Sequence, residues 1–364
     1  MDILYVIKEN PNRALGHAAD RARNFIYHWQ KQGHHVTCVF PSSEINGFSE
    51  KRSIAEKMFS FLKSYHERRA GIKFQQTLLT FLKGKKFDFL ITEELAAAVM
   101  IAPIKKSLGF PFVYVAHNVE SDLYPQIIKP SLIEKLRSFF LLRLEKKIVQ
   151  DADFVFAFSQ EDQRRLIQLS GKKQILLTRA GTSLQTQFKP DTSKDRVLFI
   201  GALDYFPNFQ ALEWYANFIH PLIKSKYILT VAGRNPSSSI IQLCQKNEFE
   251  LLPSPEKMDK ILDRGILEVV PLLSGSGTRG KILEASAHFI PVISTTLGAQ
   301  GLGFTHQKNI WLADSAVDFA RGVDLFLSDS KIRKSTAENA LIHVKKFDYS
   351  KVVQDFVTEL SNFL

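Results

Sequence analysis

Residues 267–284 read LEVVPLLSGSGTRGKILE, an apolar strand-like run followed by a loop of small residues and the start of a helix. Glycines let the main chain approach a phosphate closely, and the free N–H groups of a first helical turn point at such an anion. Arg279 and Lys281 add positive charge there, and Glu284, further along the helix, can accept hydrogen bonds from ribose hydroxyls. The stretch predicts an anion site on a strand–loop–helix unit. The alternative is an ordinary glycine-rich turn with solvated cations.

The same loop also fits part of a triphosphate-binding motif. Residues 275–281 match G-x-x-x-x-G-K. Ile282, however, stands where that motif needs a Ser or Thr hydroxyl to hold Mg²⁺. A P-loop-like NTPase is therefore kept only as an alternative. Because no H-E-x-x-H or C-x-x-C spacing occurs in the sequence, we expect no metal site and no cofactor.

Short runs of Val, Ile, Phe and Tyr alternate along the chain with longer segments of helical periodicity. This alternation is typical of βα units around parallel sheets. The polar segment 190–195 lacks periodicity and predicts a boundary between domains 1–190 and 191–346, followed by a helical segment over 347–364. We predict strands near residues 3–7, 35–40, 87–92, 111–116, 153–158, 174–178, 196–200, 227–232, 248–252, 267–273, 291–294 and 309–312, and helices that include 17–31, 94–107 and 131–149.

Charge is distributed unevenly over the 364 residues. The net charge is +11, and all of this excess lies in residues 1–190. Residues 51–86 carry a net +8 interleaved with Phe and Leu, which makes them a candidate surface for anionic lipid or a lipid-linked acceptor. The alternative is a solvated basic face over a packed helix. Only two cysteines, no signal-peptide pattern and no long uncharged apolar run favour a cytoplasmic protein, either soluble or at the inner face of the cell membrane.

Several loop residues follow predicted strands at the edge where open α/β sheets bind ligands. His117 and Asn118 come directly after the apolar run VYVA, and a histidine there can contact a substrate, although a lone histidine is more often structural. Gly16 and His17 lie at the end of the turn after the first strand. Two further glycines follow the first two strands of the second domain, Gly201 and Gly233.

The chain resembles bacterial glycosyltransferases of the GT-B fold, family 4 (glycosyl transferases group 1). The resemblance covers nearly the whole chain and is carried by residues 201–212 (GALDYFPNFQAL), 276–285 (SGTRGKILEA), 290–302, 116–121 (AHNVES) and 153–159. It implies an α/β protein of two tandem Rossmann-like doubly wound domains that face a central cleft. It also implies a final helix that crosses back to the first domain.

The resemblance implies metal-independent, retaining transfer from a nucleotide-sugar, held by the second domain, to a saccharide or lipid-linked acceptor, held by the first. The reaction would be of the hexosyltransferase type, and the resemblance and the basic, Phe-rich stretch together favour envelope polysaccharide synthesis with peripheral contact to anionic membrane. The lack of base-stacking motifs in the sequence argues against a nucleic-acid partner. The catalytic residues it implies are His117, Arg279 and Lys281; the acceptor-binding residues are Gly16, His17 and Asn118; and the donor-binding residues are Gly201, Gly233, Gly275, Ser276, Gly277, Thr278, Arg279, Lys281 and Glu284.

Two departures from the family pattern bear on the donor site. Many members have a Glu where this chain has Ser276, and an Arg–Lys pair often follows the first strand of the second domain, where Gly201 here leads into Ala202 and Leu203. Arg279 and Lys281 can replace that pair. Three alternatives stay open: a nucleotide-sugar epimerase of the same fold, a non-catalytic basic binding protein, and a catalytically silent transferase-like partner.

Overall fold

The computed structural model describes residues 1–12, 17–41, 65–127, 131–184, 196–275 and 277–363. The chain forms two units, one of Met1–Ala180 with Tyr349–Leu364 and one of Gly181–Asp348. The predicted linker 190–195 lies outside the described residues.

The first unit is built on a six-stranded parallel sheet with the order β2-β1-β3-β4-β5-β6. Strands β1, β3 and β4 are mostly apolar and are buried almost throughout, as expected for strands covered by helices on both faces. The strands are β1 (Asp2–Val6), β2 (His35–Val39), β3 (Phe89–Glu93), β4 (Phe112–Ala116), β5 (Phe154–Ala157) and β6 (Leu176–Leu177), and the helices are α1 (His17–Lys31), α2 (Tyr65–Leu82), α3 (Glu94–Ile101), α4 (Glu120–Ile127), α5 (Leu132–Asp151) and α6 (Gln160–Ser170).

The second unit repeats the plan with a parallel sheet of order β12-β11-β10-β7-β8-β9. In both sheets the strand order reverses next to the first strand of the unit, and this reversal creates a crevice at the carboxyl edge. The strands are β7 (Arg196–Ile200), β8 (Ile228–Gly233), β9 (Glu250–Pro253), β10 (Leu267–Val270), β11 (Val292–Ser294) and β12 (Trp311–Leu312), and the helices are α7 (Phe206–Trp214), α8 (Ser238–Lys246), α9 (Asp259–Leu262), α10 (Gly280–Ala287), α11 (Ala316–Ser328) and α12 (Ser330–Val344). The last helix of the chain, α13 (Tyr349–Ser361), belongs to the first unit.

A strand lies at each of the twelve predicted positions, and two of the elements that end earlier than predicted contain a proline in the predicted range. The strand predicted over 267–273 ends at Val270, because Pro271 has no N–H to donate to a ladder. The helix predicted over 94–107 is α-helical only to Ile101 and continues as a 3₁₀ helix that contains Pro103.

Helix α13 follows the second unit in sequence but belongs to the first. Its buried face includes Val353 and Phe356. The Phe356 ring lies 5.7 Å from that of Phe25 on α1 and 4.5 Å from that of Phe156 on β5. The amphipathic pattern of this last helix is thus satisfied by covering the sheet of the first unit.

Candidate functional site

The loop between β10 and α10 adopts the conformation that its glycines permit. Gly275 has φ +114° and Gly277 has φ +75°, both in the region that side chains disfavour. Ser276, between them, lies outside the described residues. Helix α10 begins at Gly280, and the Ile282 N–H already donates to the Arg279 carbonyl at 3.1 Å, so its first turn can present the N–H groups of Gly280 and Lys281 at this sheet edge.

The two predicted cations of this loop are held by neutral oxygens. Arg279 is only 9% exposed and donates to the Gly277 carbonyl. Lys281 Nζ lies 2.9 Å from Asn208 Oδ1, and Asn208 Nδ2 donates to the Ala202 carbonyl at 2.9 Å. Asn208 therefore ties the helix of the anion loop to the turn after β7.

The turns after β7 and β8 come into contact through their glycines. A Cβ on Gly233 would lie 1.7 Å from the Gly201 carbonyl oxygen, so a side chain at this position is sterically excluded. A Cβ on Gly201 would lie 2.7 Å from Asn208 Nδ2 and 2.8 Å from Lys281 Nζ. The structure thus brings together Gly201, Gly233 and Lys281, which the sequence predicted separately.

Burial controls the charges around Lys281. It lowers the pKa of Lys281 to about 8, against the attraction of Glu268. Glu268 is completely buried on β10, and burial raises the pKa of its carboxyl well above the usual value. Neither carboxyl oxygen of Glu268 has a hydrogen-bond partner among the described residues, and the same holds for Thr278 Oγ1. The negative charge of Glu284 on α10 acts to raise the pKa of both Glu268 and Lys281.

Ile282 is completely buried within α10. At this position a P-loop would present a hydroxyl to a metal ion, whereas here the side chain is part of the core.

In the first unit, His117 is held by a buried ion pair. His117 Nε2 lies 2.9 Å from Glu93 Oε2, and Arg21 Nε lies 3.0 Å from Glu93 Oε1. Arg21 is completely buried and also donates to the Arg179 carbonyl at 2.9 Å. The imidazole stacks on the Phe158 ring at 4.7 Å. The position and the ring orientation of His117 are therefore both determined by its neighbours.

The Glu93 carboxylate determines which nitrogen of His117 carries a proton. Burial raises the pKa of Glu93, but the charges of Arg21 and His117 prevail and lower it to about 2. An ionised carboxylate only accepts hydrogen bonds, so His117 Nε2 must be the donor. The other ring nitrogen, Nδ1, has no hydrogen-bond partner among the described residues and is the atom that can meet a ligand.

The pocket beside His117 lies within the first unit. It is lined on one side by Lys8, just after β1, and by Glu93 and Glu94, at the end of β3. Lys8 Nζ lies 2.8 Å from Glu94 Oε2. Asn118 donates to Glu120 Oε1 at 3.3 Å. Gly16 and the side chain of His17 lie outside the described residues.

Sequence reasoning missed Arg21, Glu93, Asn208 and Glu268 as parts of these sites. A signal existed for two of them, because Glu93 stands at the carboxyl end of a predicted strand and Asn208 in a quoted family motif. Arg21 looked like any charged residue of an amphipathic helix, and Glu268 like an ordinary strand residue.

Comparisons with known proteins agree with this architecture. Residues 18–177 match the profile of Glycosyltransferase Family 4, and residues 194–329 match that of Glycosyl transferases group 1. An uncharacterized 44.6 kDa protein in the cps region of Klebsiella pneumoniae is 30% identical over 184 residues, which are 47% of this chain and 47% of that protein. The alignment thus spans about half the length of this relative.

Two solved structures share the fold over the full chain. Sucrose-phosphate synthase from Thermosynechococcus elongatus superposes with a TM-score of 0.80 at 16% identity, covering 100% of this chain and 99% of that one. Anabaena HepE in complex with UDP-glucose superposes with a TM-score of 0.73 at 15% identity, covering 100% of both chains. Since the two family profiles together match most of both Rossmann-like units, the chain belongs to glycosyltransferase family 4 and has the GT-B fold.

Proposed function

We propose that this chain transfers a hexosyl group from a nucleotide-sugar to a saccharide or lipid-linked acceptor, with retention of anomeric configuration and without a metal ion. The observation that carries the proposal is the loop of 275–281, where two left-handed glycines, the start of α10 and two cations meet at one sheet edge. HepE, one of the proteins with this fold, has been crystallised with UDP-glucose.

The chemistry of the transfer requires positive potential at the donor phosphates. Breaking the bond between the anomeric carbon and the phosphate oxygen leaves both bonding electrons on the nucleoside diphosphate. Fixed N–H groups of α10 together with Arg279 and Lys281 would stabilise this developing charge without reorganisation. Glu284, one turn into α10, would accept hydrogen bonds from the ribose.

Retention is accounted for by attack on the face from which the leaving group departs. The acceptor hydroxyl forms the new bond to the anomeric carbon, and the departing phosphate oxygen takes the hydroxyl proton. This route needs no protein general base. The His117 ring, held by Glu93 and Phe158, would contact the transferred sugar through Nδ1 and balance the charge near the anomeric centre.

Donor turnover in Arg279→Ala and Lys281→Ala, measured with EDTA present, tests the anion site. Removal of one of these two side-chain cations should lower kcat about 10²- to 10³-fold. Lys260→Ala, an exposed lysine in the same unit, is the matched control and should retain the wild-type rate. Undiminished rates in both site variants, or full loss of the wild-type rate in EDTA, would refute the proposed mechanism.

The donor can be identified by thermal shift against UDP-, GDP- and dTDP-sugars. A ligand at 100 times its dissociation constant should stabilise the protein by about 2.7 kcal/mol. Product analysis then separates transfer from epimerisation, because an epimerase converts the donor without an acceptor. Failure of every activated sugar to stabilise the protein would contradict the proposal.

We further propose a role in envelope polysaccharide assembly on the cytoplasmic side of the membrane. The family supports this role, and the matching Klebsiella protein is described as lying in the cps region. The prediction is that deletion of the gene alters the surface glycan of the cell. An unchanged glycan profile by mass spectrometry would argue against it.

A further inference from the structure

Helix α5 presents an unusual outer face in its first half. Leu132, Ile133, Leu136, Phe139 and Phe140, which we call the α5 apolar face, are between 46% and 76% exposed. Their spacing of three and four residues places them on one side of the helix. The opposite side packs inward through Leu141, Glu145, Ile148 and Val149.

This face lies near the edge of the sheet that carries His117. The Glu145 carboxylate accepts hydrogen bonds from Glu120 N at 2.8 Å and Ser121 N at 3.0 Å, so Glu145 is level with the start of α4, just past β4. At 1.5 Å per residue, residues 132–140 extend about 8 to 20 Å further along α5. Since α5 returns toward the start of β5, its first half projects beyond the carboxyl edge of the sheet.

The exposed surface of α5 is also positively charged. Lys135, Arg143, Lys146 and Lys147 are exposed on it, and the Arg143 guanidinium lies 4.3 Å from the Phe139 ring centre. Of these four cations, only Lys147 is paired with an acidic residue of α5, all of whose residues the structure describes. Glu145 is buried against main-chain N–H groups, Glu134 pairs with Arg137, and Asp151 pairs with Lys147 at the far end of the helix.

We infer that the α5 apolar face docks on an anionic lipid bilayer. A helix with Leu and Phe on one face and Lys and Arg beside them lies in the headgroup region with its apolar side chains inserted. No helix among the described residues is long and apolar enough to cross a membrane. Docking therefore takes the form of shallow insertion at the surface.

Two other surfaces fit less well. A second copy packed on the same face would bring two sets of four basic side chains together, whereas anionic headgroups neutralise them. In the basic stretch 51–86, the side chains of Phe74, Leu78 and Leu82 are buried in the core, so the described part of α2 packs inward. Residues 51–64 of that stretch lie outside the described residues.

Docking through α5 would hold the His117 edge of the first unit toward the lipid surface. The docking itself is independent of the proposed transfer. Its role in bringing the first unit to a lipid-linked acceptor rests on that function. We therefore test binding to vesicles separately from catalysis.

The test is co-sedimentation of the full chain with vesicles of phosphatidylcholine, with and without phosphatidylglycerol. Wild-type protein should bind the anionic vesicles and lose that binding at high salt. Leu136→Gln with Phe140→Gln, and separately Arg143→Gln with Lys146→Gln, should each lower the partition coefficient about tenfold. Phe218→Gln with Ile342→Gln removes equally exposed apolar side chains from the second unit and should leave binding unchanged.

All variants alter exposed side chains and should keep the wild-type melting temperature and the thermal shift with the donor. Absence of wild-type binding to anionic vesicles, or equal binding by the Leu136/Phe140 double variant, would overturn the inference. A wild-type dimer in solution that this double variant dissolves would instead assign the face to self-association, which also overturns it.

Discussion

The sheets of the two units have the same plan, but the candidate sites consist of different kinds of chemical groups. Around His117, the first unit uses buried side chains whose charges cancel, with Glu93 between Arg21 and the imidazole. Around 275–281, the second unit uses main-chain groups, glycines and a lysine that donates to a neutral amide. The first arrangement fixes a geometry, whereas the second maintains positive potential.

This difference corresponds to what each site would hold. A sugar ring is uncharged and needs an oriented hydrogen-bonding group, which a neutralised cluster supplies. A diphosphate is anionic and is bound by N–H groups and cations, and Lys281 here donates to a neutral amide. In the second unit, burial raises the pKa of the nearby Glu268, and this favours its neutral form over a charge that would oppose Lys281.

The largest predicted effect tests the neutralised cluster. Arg21→Met leaves Glu93 as a buried charge with only His117 beside it, and should lower the free energy of unfolding by about 3 to 5 kcal/mol. Urea denaturation measures this. Arg23→Met, on the same helix but partly exposed, should cost less than about 1 kcal/mol. Equal losses of unfolding free energy in the two variants would show that the buried Arg21–Glu93 pair contributes no more to stability than the partly exposed Arg23.

The next effect tests the close approach of main chains in the second unit. Gly233→Ala places a Cβ 1.7 Å from the Gly201 carbonyl oxygen, so the turns after β7 and β8 must separate. This should lower the free energy of unfolding by about 3 kcal/mol or more. Gly84→Ala is the control, because Gly84 has φ +77° but no atom within 4 Å of the added Cβ. The backbone strain of an alanine at positive φ should lower the free energy of unfolding of this control by about 1 to 2 kcal/mol. A Gly233→Ala protein as stable as the control would contradict the contact.

A moderate effect concerns the positive potential itself. Lys281 has a pKa of about 8, and only its charged form attracts a diphosphate, so donor affinity should fall as pH rises through that value. The loss should approach tenfold per pH unit above it. Calorimetric titration with the nucleoside diphosphate of the identified donor measures this, with Lys281→Met as the variant in which the pH dependence disappears. A pH-independent affinity in the wild type would remove Lys281 from the site.

The smallest effect tests whether uncompensated charge destabilises the first unit. Burial, aided by Glu145, raises the pKa of Glu120 to about 7. An acid with a raised pKa in the folded state loses stability as pH rises from its unfolded pKa toward the folded one. Glu120→Gln should therefore gain about 1 kcal/mol at slightly alkaline pH and almost none near pH 5. Melting curves at both pH values, with exposed Glu161→Gln as control, measure the difference. A gain of the same size at both values would exclude titration of Glu120 as the cause.

Local patterns predicted much of the fold and part of the sites. The alternation of apolar runs and helical segments indicated both sheets, since hydrophobic periodicity reports on burial within each element. The glycines of 275–281 predicted a loop before a helix, since glycine adopts backbone conformations that other residues disfavour, and anion binding by this loop stays a prediction. A local pattern could not show that the outer side of the first half of α5 is exposed, because exposure depends on which described elements pack around the helix.

The sequence by itself therefore determined two βα series, the glycine loop before α10 and the presence of His117 at a strand end. Only the tertiary structure decided which side chains meet them. Arg21 reaches Glu93 across 72 residues, and Lys281 reaches Asn208 across 73. Such pairs depend on the order in which parallel strands assemble, and periodicity within a segment carries no information about that order.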